Sequence, residues 1–359
     1  MKKRVLLGMS GGVDSSVAAL LLLRAGYDVT GVTLRLRPDA YMRGSRAGGC
    51  CSLDDMDDAR RVCYRLGIEH LVMNLTEQFE RDVIGYFAEQ YAEGITPNPC
   101  IACNRHIKFG AMLERARALG FDFISTGHYA VIEQSDNGRW LLKKSPAAKD
   151  QSYVLYTMTQ DQLAHTLMPV GRYSKPEIRA MAEEAGLPVA HKSDSQEICF
   201  VEDGDYAGFI ARYTGTKDAA GDFLDRSGRV IGRHRGVTHY TVGQRKGLGI
   251  SFGRPMYVTA IDAARNTVTL GEEGAQYSNS LEAADLRWIA FDALPGETEA
   301  EAKIRYAAAP AKARLVPLPG GRVRVEFRQP QRAVTPGQAV VFYDGSVVLG
   351  GGTIQPPKG

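Results

Sequence analysis

The stretch Thr96 to Gly110, TPNPCIACNRHIKFG, sets Cys100 and Cys103 three residues apart behind two prolines. Thiols at that spacing serve as metal ligands, as a redox pair, as a nucleophile with a neighbour, or as small residues in a turn. A second stretch with chemical potential is GMSGGVDSS, Gly8 to Ser16, placed where an apolar strand pattern gives way to a helical one. Adjacent Gly11 and Gly12 let backbone approach an anion, Ser10, Ser15 and Ser16 add hydroxyl donors, and a helix N-terminus aims amides and dipole at it. That is a phosphate cradle. It lacks the lysine of GxxxxGK[ST] and the spacing of GxGxxG, which argues against a Walker A loop and against a dinucleotide site.

These residues need a scaffold, and the pattern supplies one. RVLLGM, YDVTGVTLRL, IEHLVMN and FDFISTG read as strands, separated by helical stretches such as SSVAALLLLRAG and DDMDDARRVCYRLG. Repeated βα alternation predicts a parallel sheet covered by helices. A further helix is expected at SKPEIRAMAEEAG, where Ser174 can cap and Pro176 suits the first turn. Past about residue 205 the texture turns to short β-rich runs broken by Gly and Pro, including PMYVTAIDAARNTVTLG, AKARLVPLPG and GRVRVEFRQPQRAVTPGQAVVFYDGSVVLGGG. These predict small barrels or sandwiches.

At 359 residues and 44% hydrophobic, the chain has length for two or three domains. Its longest aliphatic run, VAALLLL, is far too short to span a bilayer, so the expectation is a cytoplasmic protein without a membrane partner. In a reducing compartment, six unevenly spaced cysteines point to metal or catalytic thiols more than to disulfides. Cys50 and Cys51 precede an expected helix start and Cys63 lies within it, which suits structural roles. The net charge of +3 is uneven: residues 301–359 carry nine Lys or Arg against three Asp or Glu, and residues 221–250 carry six against two. Clustered cations of this kind fit either a solvated face or a phosphate-backbone footprint.

The Gly8 to Ser16 loop resembles the SGGxDS signature of the PP-loop ATP pyrophosphatases, which cleave ATP between its α and β phosphates and adenylate a carbonyl oxygen. GGCCSLDDMDDARRV, TPNPCIACNRHIKFG, STGHYA, KDQSYVLY, SDSQEICFV, YTVGQRKGLGI and TPGQAVVFYDG, in this order, resemble the bacterial tRNA-specific 2-thiouridylase (MnmA/TrmU) family over nearly the whole chain. The resemblance implies an α/β fold: a parallel-sheet PP-loop catalytic domain at 1–205, a small tRNA-contacting central domain at 206–275, and a tRNA-contacting C-terminal β-barrel at 276–359. It implies adenylation of the C2 carbonyl oxygen of the wobble uridine, then replacement by sulfur. The implied partners are tRNA with Lys, Glu or Gln acceptors and a persulfide or sulfide donor protein. ATP with Mg2+ is the implied cofactor.

Residue by residue, it assigns ATP to Gly8, Met9, Ser10, Gly11, Gly12, Val13, Asp14 and Ser15, to Leu34, which replaces the more usual methionine, and to Gly127. It assigns tRNA or target-base contacts to Asn98, Pro99, Cys100, His128, Lys149, Asp150, Gln151, Arg305, Tyr306 and Gln338. Cys103 and Cys199 are the implied catalytic thiols, with Cys199 carrying a persulfide. Cys100 departs from the NPD of many members. With it, three thiolates suit a cubane [4Fe-4S] cluster with one iron open, and the added thiolate favours that route over the persulfide. The other readings are a different PP-loop ligase or amidating synthetase, and a catalytically silent RNA-binding protein. The intact loop argues against the second, and the placed cysteines and basic C-terminal region argue against the first.

Overall fold

The computed structural model describes residues 2–37, 53–193, 198–201, 204–216 and 218–357. Cys50 and Cys51 therefore lie outside the described residues, as does part of the SDSQEICFV motif. Two compact units make up the chain: Met1–Val83, Cys100–Gly204 and Ser346–Val348 form one, and Ile84–Pro99, Asp205–Gly345 and Leu349–Gly359 the other.

The first unit contains, in chain order, strands β1 (Arg4–Gly8), β2 (Asp28–Arg35), β3 (Glu69–Asn74), β4 (Phe123–Ser125), β5 (Ala130–Gln134), β6 (Trp140–Lys144) and β7 (Thr166–Leu167). β5 and β6 pair as an antiparallel hairpin, which the sequence reading did not foresee. The other five form an all-parallel sheet in the order β3-β2-β1-β4-β7. Val5, Leu6 and Leu7 of β1 are wholly buried, as expected of a strand covered on both faces. Helix α1 (Val13–Arg24) contributes Val17, Ala18, Ala19 and Leu22 to this core, joined by Ala59, Val62 and Cys63 of the helix Leu53–Leu66. Burial pushes the Cys63 thiol up to about 11, so it behaves as a small core hydrophobe.

The helix Lys175–Glu184 starts as its sequence demands. Ser174 accepts from the Glu177 amide, Glu177 accepts from the Ser174 amide at 2.7 Å, and Pro176 occupies the first turn. Strand order fixes where a ligand would sit. The chain leaves β1 for β2 on one side and later enters β4 on the other, so a crevice opens at the carboxyl ends of β1 and β4.

In the second unit, β8 (Gly221–Leu224), β9 (Val230–His234), β10 (Tyr257–Asp262) and β11 (Thr267–Gly271) form a sheet in the order β10-β11-β8-β9 around Phe223, Val258, Val268 and Leu270. β12 (Tyr277–Trp288), β13 (Thr298–Lys303), β14 (Ala311–Leu318), β15 (Arg322–Arg332), β16 (Ala339–Asp344) and β17 (Val347–Ile354) follow in the order β12-β15-β14-β13-β16-β17, and β12 pairs back with β17. The barrel is thus closed, which removes its edges. The helix Tyr86–Ala92 joins this unit through rings: Phe87 lies 6.3 Å from Tyr206 and 6.4 Å from Phe209 of the helix Tyr206–Thr214. Among the described residues no helix is long and apolar enough to cross a membrane.

Candidate active site

The stretch after β1 turns sharply and then becomes α1. Gly11 has φ of 69°, and a Cβ there would lie 2.3 Å from the Asp55 carbonyl oxygen, so only glycine fits. Gly12 precedes α1 without a side-chain cap, leaving the first amides of the helix to a ligand. Ser15 is buried; its Oγ donates to the Gly12 carbonyl at 3.1 Å, accepts from the Ser10 amide at 3.2 Å and lies 3.3 Å from Ser10 Oγ. Met9 is sewn to β2: its amide donates to the Val32 carbonyl at 2.8 Å and its carbonyl accepts from Thr33 Oγ1 at 3.2 Å. Leu34 follows on the same strand, half-buried.

From the other side of the crevice comes Gly127, just past β4. A Cβ at Gly127 would lie 2.8 Å from the Ser15 amide nitrogen and 2.9 Å from the Asp14 carbonyl carbon. Gly127→Ala is therefore expected to push the loop off its position. We expect a loss of about 1 to 3 kcal/mol in stability together with at least tenfold weaker ATP binding, read by thermal unfolding and calorimetry. Native-like ATP affinity in that variant would show that the close approach is unimportant.

Asp14, in the first turn of α1, gathers residues from far along the chain. Its Oδ1 accepts from Tyr129 Oη at 2.7 Å and from Lys175 Nζ at 2.7 Å, and its Oδ2 from Lys149 Nζ at 3.1 Å. Lys175 and Tyr129 were not singled out from sequence. Lys175 lies 161 residues from Asp14, and no local signal links them. Of the neighbouring residues assigned to tRNA, Gln151 accepts from the Tyr129 amide at 2.9 Å, and Asp150 organises its own loop through the Ser145 and Ser152 amides and Ser152 Oγ. His128 is 9% exposed, bonded to Thr126 Oγ1 at 2.7 Å and tilted against Phe109 at 5.8 Å.

Phe109 belongs to the run that carries Cys103. The segment Pro99–Ala102 is a helical turn, and Cys103–Ala111 continues it as a π-helix, a local widening of the helix that recurs at functional sites. Cys103 is buried and Cys100, one turn earlier, is exposed. Beside Cys103, Asn104 donates to the Val154 carbonyl at 2.9 Å, while its Oδ1 is buried with no hydrogen-bond partner. Cys199 is half-buried on a turn closed by the Val201 amide on the Ile198 carbonyl at 2.9 Å. Phe200 and Val201 anchor that turn, Phe200 edge-on to Phe79 at 5.9 Å.

Among the described residues no group of three or more His, Cys, Asp or Glu side chains is placed to hold a metal. Cys100, Cys103 and Cys199 are all described, and none of them belongs to such a group.

In the second unit, Gln338 Nε2 donates to the Thr96 carbonyl at 2.9 Å and the Pro97 carbonyl at 3.2 Å, bracing the segment that leads into Asn98 and Pro99. Arg305 donates to the carbonyls of Val242 and Ala333, each at 3.0 Å, and to Thr335 Oγ1. Tyr306 is exposed, its ring 5.5 Å below the Lys303 ammonium. The basic excess of residues 301–359 is partly balanced by carboxylates just outside that window: Arg314 pairs with Glu297, Arg322 with Glu282, and Arg328 with Glu299.

Residues 3–203 match the family model described as tRNA methyl transferase HUP domain, residues 207–272 the tRNA methyl transferase PRC-barrel domain, and residues 278–354 the aminomethyltransferase beta-barrel domain. The chain is 56% identical over 357 residues to the tRNA-specific 2-thiouridylase MnmA of Acetivibrio thermocellus, covering 99% of each chain. It is 52% identical over 355 residues to the protein of that name from Clostridium beijerinckii, again covering 99% of each. The chain belongs to the tRNA-specific 2-thiouridylase family. Within that family, the glycine turn at Gly11 and Gly12, the Gly127 approach and the Asp14 cluster lie in the HUP-domain match, and Gln338, Arg305 and Tyr306 in the barrel match.

Proposed function

We propose that this tRNA sulfurtransferase adenylates the C2 carbonyl oxygen of the wobble uridine of tRNA and replaces that oxygen with sulfur. The observation that carries the reading is full-length identity to proteins named tRNA-specific 2-thiouridylase, in a chain whose phosphate loop is intact in sequence and geometry. The uncapped start of α1, the Ser10 and Ser15 hydroxyls and the glycine approaches fit the phosphates of ATP. ATP supplies a good leaving group in place of a carbonyl oxygen.

For sulfur transfer, a two-thiol route through Cys103 and Cys199 is favoured over a cluster, because Cys100, the thiolate that a cluster would add, is exposed, whereas Cys103 is buried and Cys199 half-buried. In this route Cys199 carries the persulfide. Its terminal sulfur attacks C2, the C2–O bond breaks, and AMP departs with the electron pair. The Cys103 thiolate then attacks Cys199 Sγ, releasing the thiocarbonyl and leaving a Cys103–Cys199 disulfide. An external dithiol supplies the two electrons that reopen it.

The test is nucleoside analysis of tRNA after incubation with the protein, ATP with Mg2+ and a persulfide donor. The expected product is 2-thiouridine at the wobble position, absent without ATP. Omission of tRNA should stop pyrophosphate release; release without tRNA would point to a small-molecule ligase. Anaerobic purification is expected to yield protein without stoichiometric iron; iron and labile sulfide lost on Cys100→Ser would overturn the two-thiol route.

tRNA affinity should fall with salt. Among the described residues, the exposed Arg235 and Lys246 make no ion pair at 4 Å or less, unlike Arg314, Arg322 and Arg328. Replacing both Arg235 and Lys246 by Ala should reduce the slope of log affinity on log salt by about 1 to 2, measured by filter binding. An unchanged slope would mean that these cations are merely solvated.

A further inference from the structure

We infer that Lys175 is a catalytic residue of the adenylation step: its ammonium moves from Asp14 onto the pyrophosphate as that group leaves. This rests on the ATP-dependent reading above and adds to it a residue that neither the loop motif nor the family match assigns.

Lys175 is placed rather than trailing. Its backbone is fixed at the start of its helix by the reciprocal Ser174–Glu177 cap and by Pro176. Its side chain is only 18% exposed, and its Nζ lies 2.7 Å from Asp14 Oδ1. Asp14 sits in the first turn of α1, directly after the glycines and against Gly127. The ammonium therefore stands beside the anion-binding turn, within the swing of a four-carbon stem.

The pairing also allows it to move. Asp14 Oδ1 is shared between Lys175 and the Tyr129 hydroxyl, and Oδ2 is held by Lys149. When Lys175 turns to a phosphate, both carboxylate oxygens keep a donor, so no stranded charge opposes the exchange. In the step itself, the uridine C2 oxygen bonds to the α phosphorus and the uridine N3 proton passes to solvent. The bond from the α phosphorus to the bridging oxygen breaks, and the electron pair leaves with pyrophosphate. A positioned cation counts most for the charge that gathers there.

The test uses the full chain with Lys175→Ala and Lys175→Arg. Calorimetric titration with inorganic pyrophosphate should show about tenfold weaker binding in the Ala variant and substantial recovery in the Arg variant. tRNA-dependent AMP formation should fall about a hundredfold or more in kcat for Ala, with tRNA affinity unchanged. Wild-type pyrophosphate affinity and turnover in Lys175→Ala would overturn the inference. Equal losses in Ala and Arg with a lowered melting temperature would reduce Lys175 to a prop for Asp14, which also overturns it. Wild-type protein that forms no AMP with tRNA would sink the tRNA reading, and the pyrophosphate titration would still decide Lys175.

Discussion

Cys199→Ser and Cys103→Ser each lower 2-thiouridine formation by about a thousandfold or more, while tRNA-dependent AMP release continues. A serine hydroxyl cannot carry a persulfide, and it cannot open a disulfide at Cys199. Adenylation needs neither thiol, so the activated uridine still forms and is hydrolysed by water back to uridine and AMP. The two positions differ in their surroundings in a way that suits the roles. Cys199 is half-buried on a turn whose neighbours Phe200 and Val201 are buried, so the thiol is both reachable and fixed. Cys103 is buried at the start of a π-helical run, sheltered until the second step. Cys100→Ser should retain at least about a tenth of wild-type activity, because the exposed thiol has no part in a two-thiol sequence. Loss of thiolation in all three variants, with loss of iron, would establish the cluster instead. Nucleoside mass spectrometry alongside AMP assay separates these patterns.

Asp14→Ala is the second large effect: AMP formation falls by about a hundred- to a thousandfold, with tRNA affinity held within about twofold. Asp14 anchors Lys149, Lys175 and Tyr129 at the start of α1, so its removal disperses the cations beside the phosphate turn. The tRNA footprint is a separate matter of phosphate neutralisation over a wide surface. Pyrophosphate release at the wild-type rate in Asp14→Ala would remove the assignment of this loop.

How far the sequence alone carried these conclusions depends on the range of the interaction. β1, the glycine turn and α1 are contiguous, and their signals are local: an apolar run, adjacent glycines, then helical spacing. The cap at Ser174 was equally visible, since Ser174, Pro176 and Glu177 lie within four residues. What escaped was long-range. Nothing near Lys175 announces that it will reach Asp14, and nothing in TPGQAVV announces that Gln338 will brace the Thr96 and Pro97 carbonyls. Charge balance is long-range in the same way: residues 301–359 are basic along the chain, but ion pairs form across strands, and Glu282, Glu297 and Glu299 outside that window partly balance its arginines. Arg305, expected to meet tRNA, directs its Nη2 to Val242, Ala333 and Thr335, so its replacement by alanine would disturb packing as well as any RNA contact.

The most direct test of the central claim follows the oxygen that is lost. tRNA prepared with heavy-isotope oxygen at C2 of the wobble uridine is incubated with the protein, unlabelled ATP and a persulfide donor, and the AMP is weighed by mass spectrometry. If the C2 oxygen is adenylated and then displaced by sulfur, each AMP formed with a 2-thiouridine carries that heavy oxygen on its phosphate. Unlabelled AMP, with the heavy oxygen recovered in water or pyrophosphate, would contradict adenylation at C2.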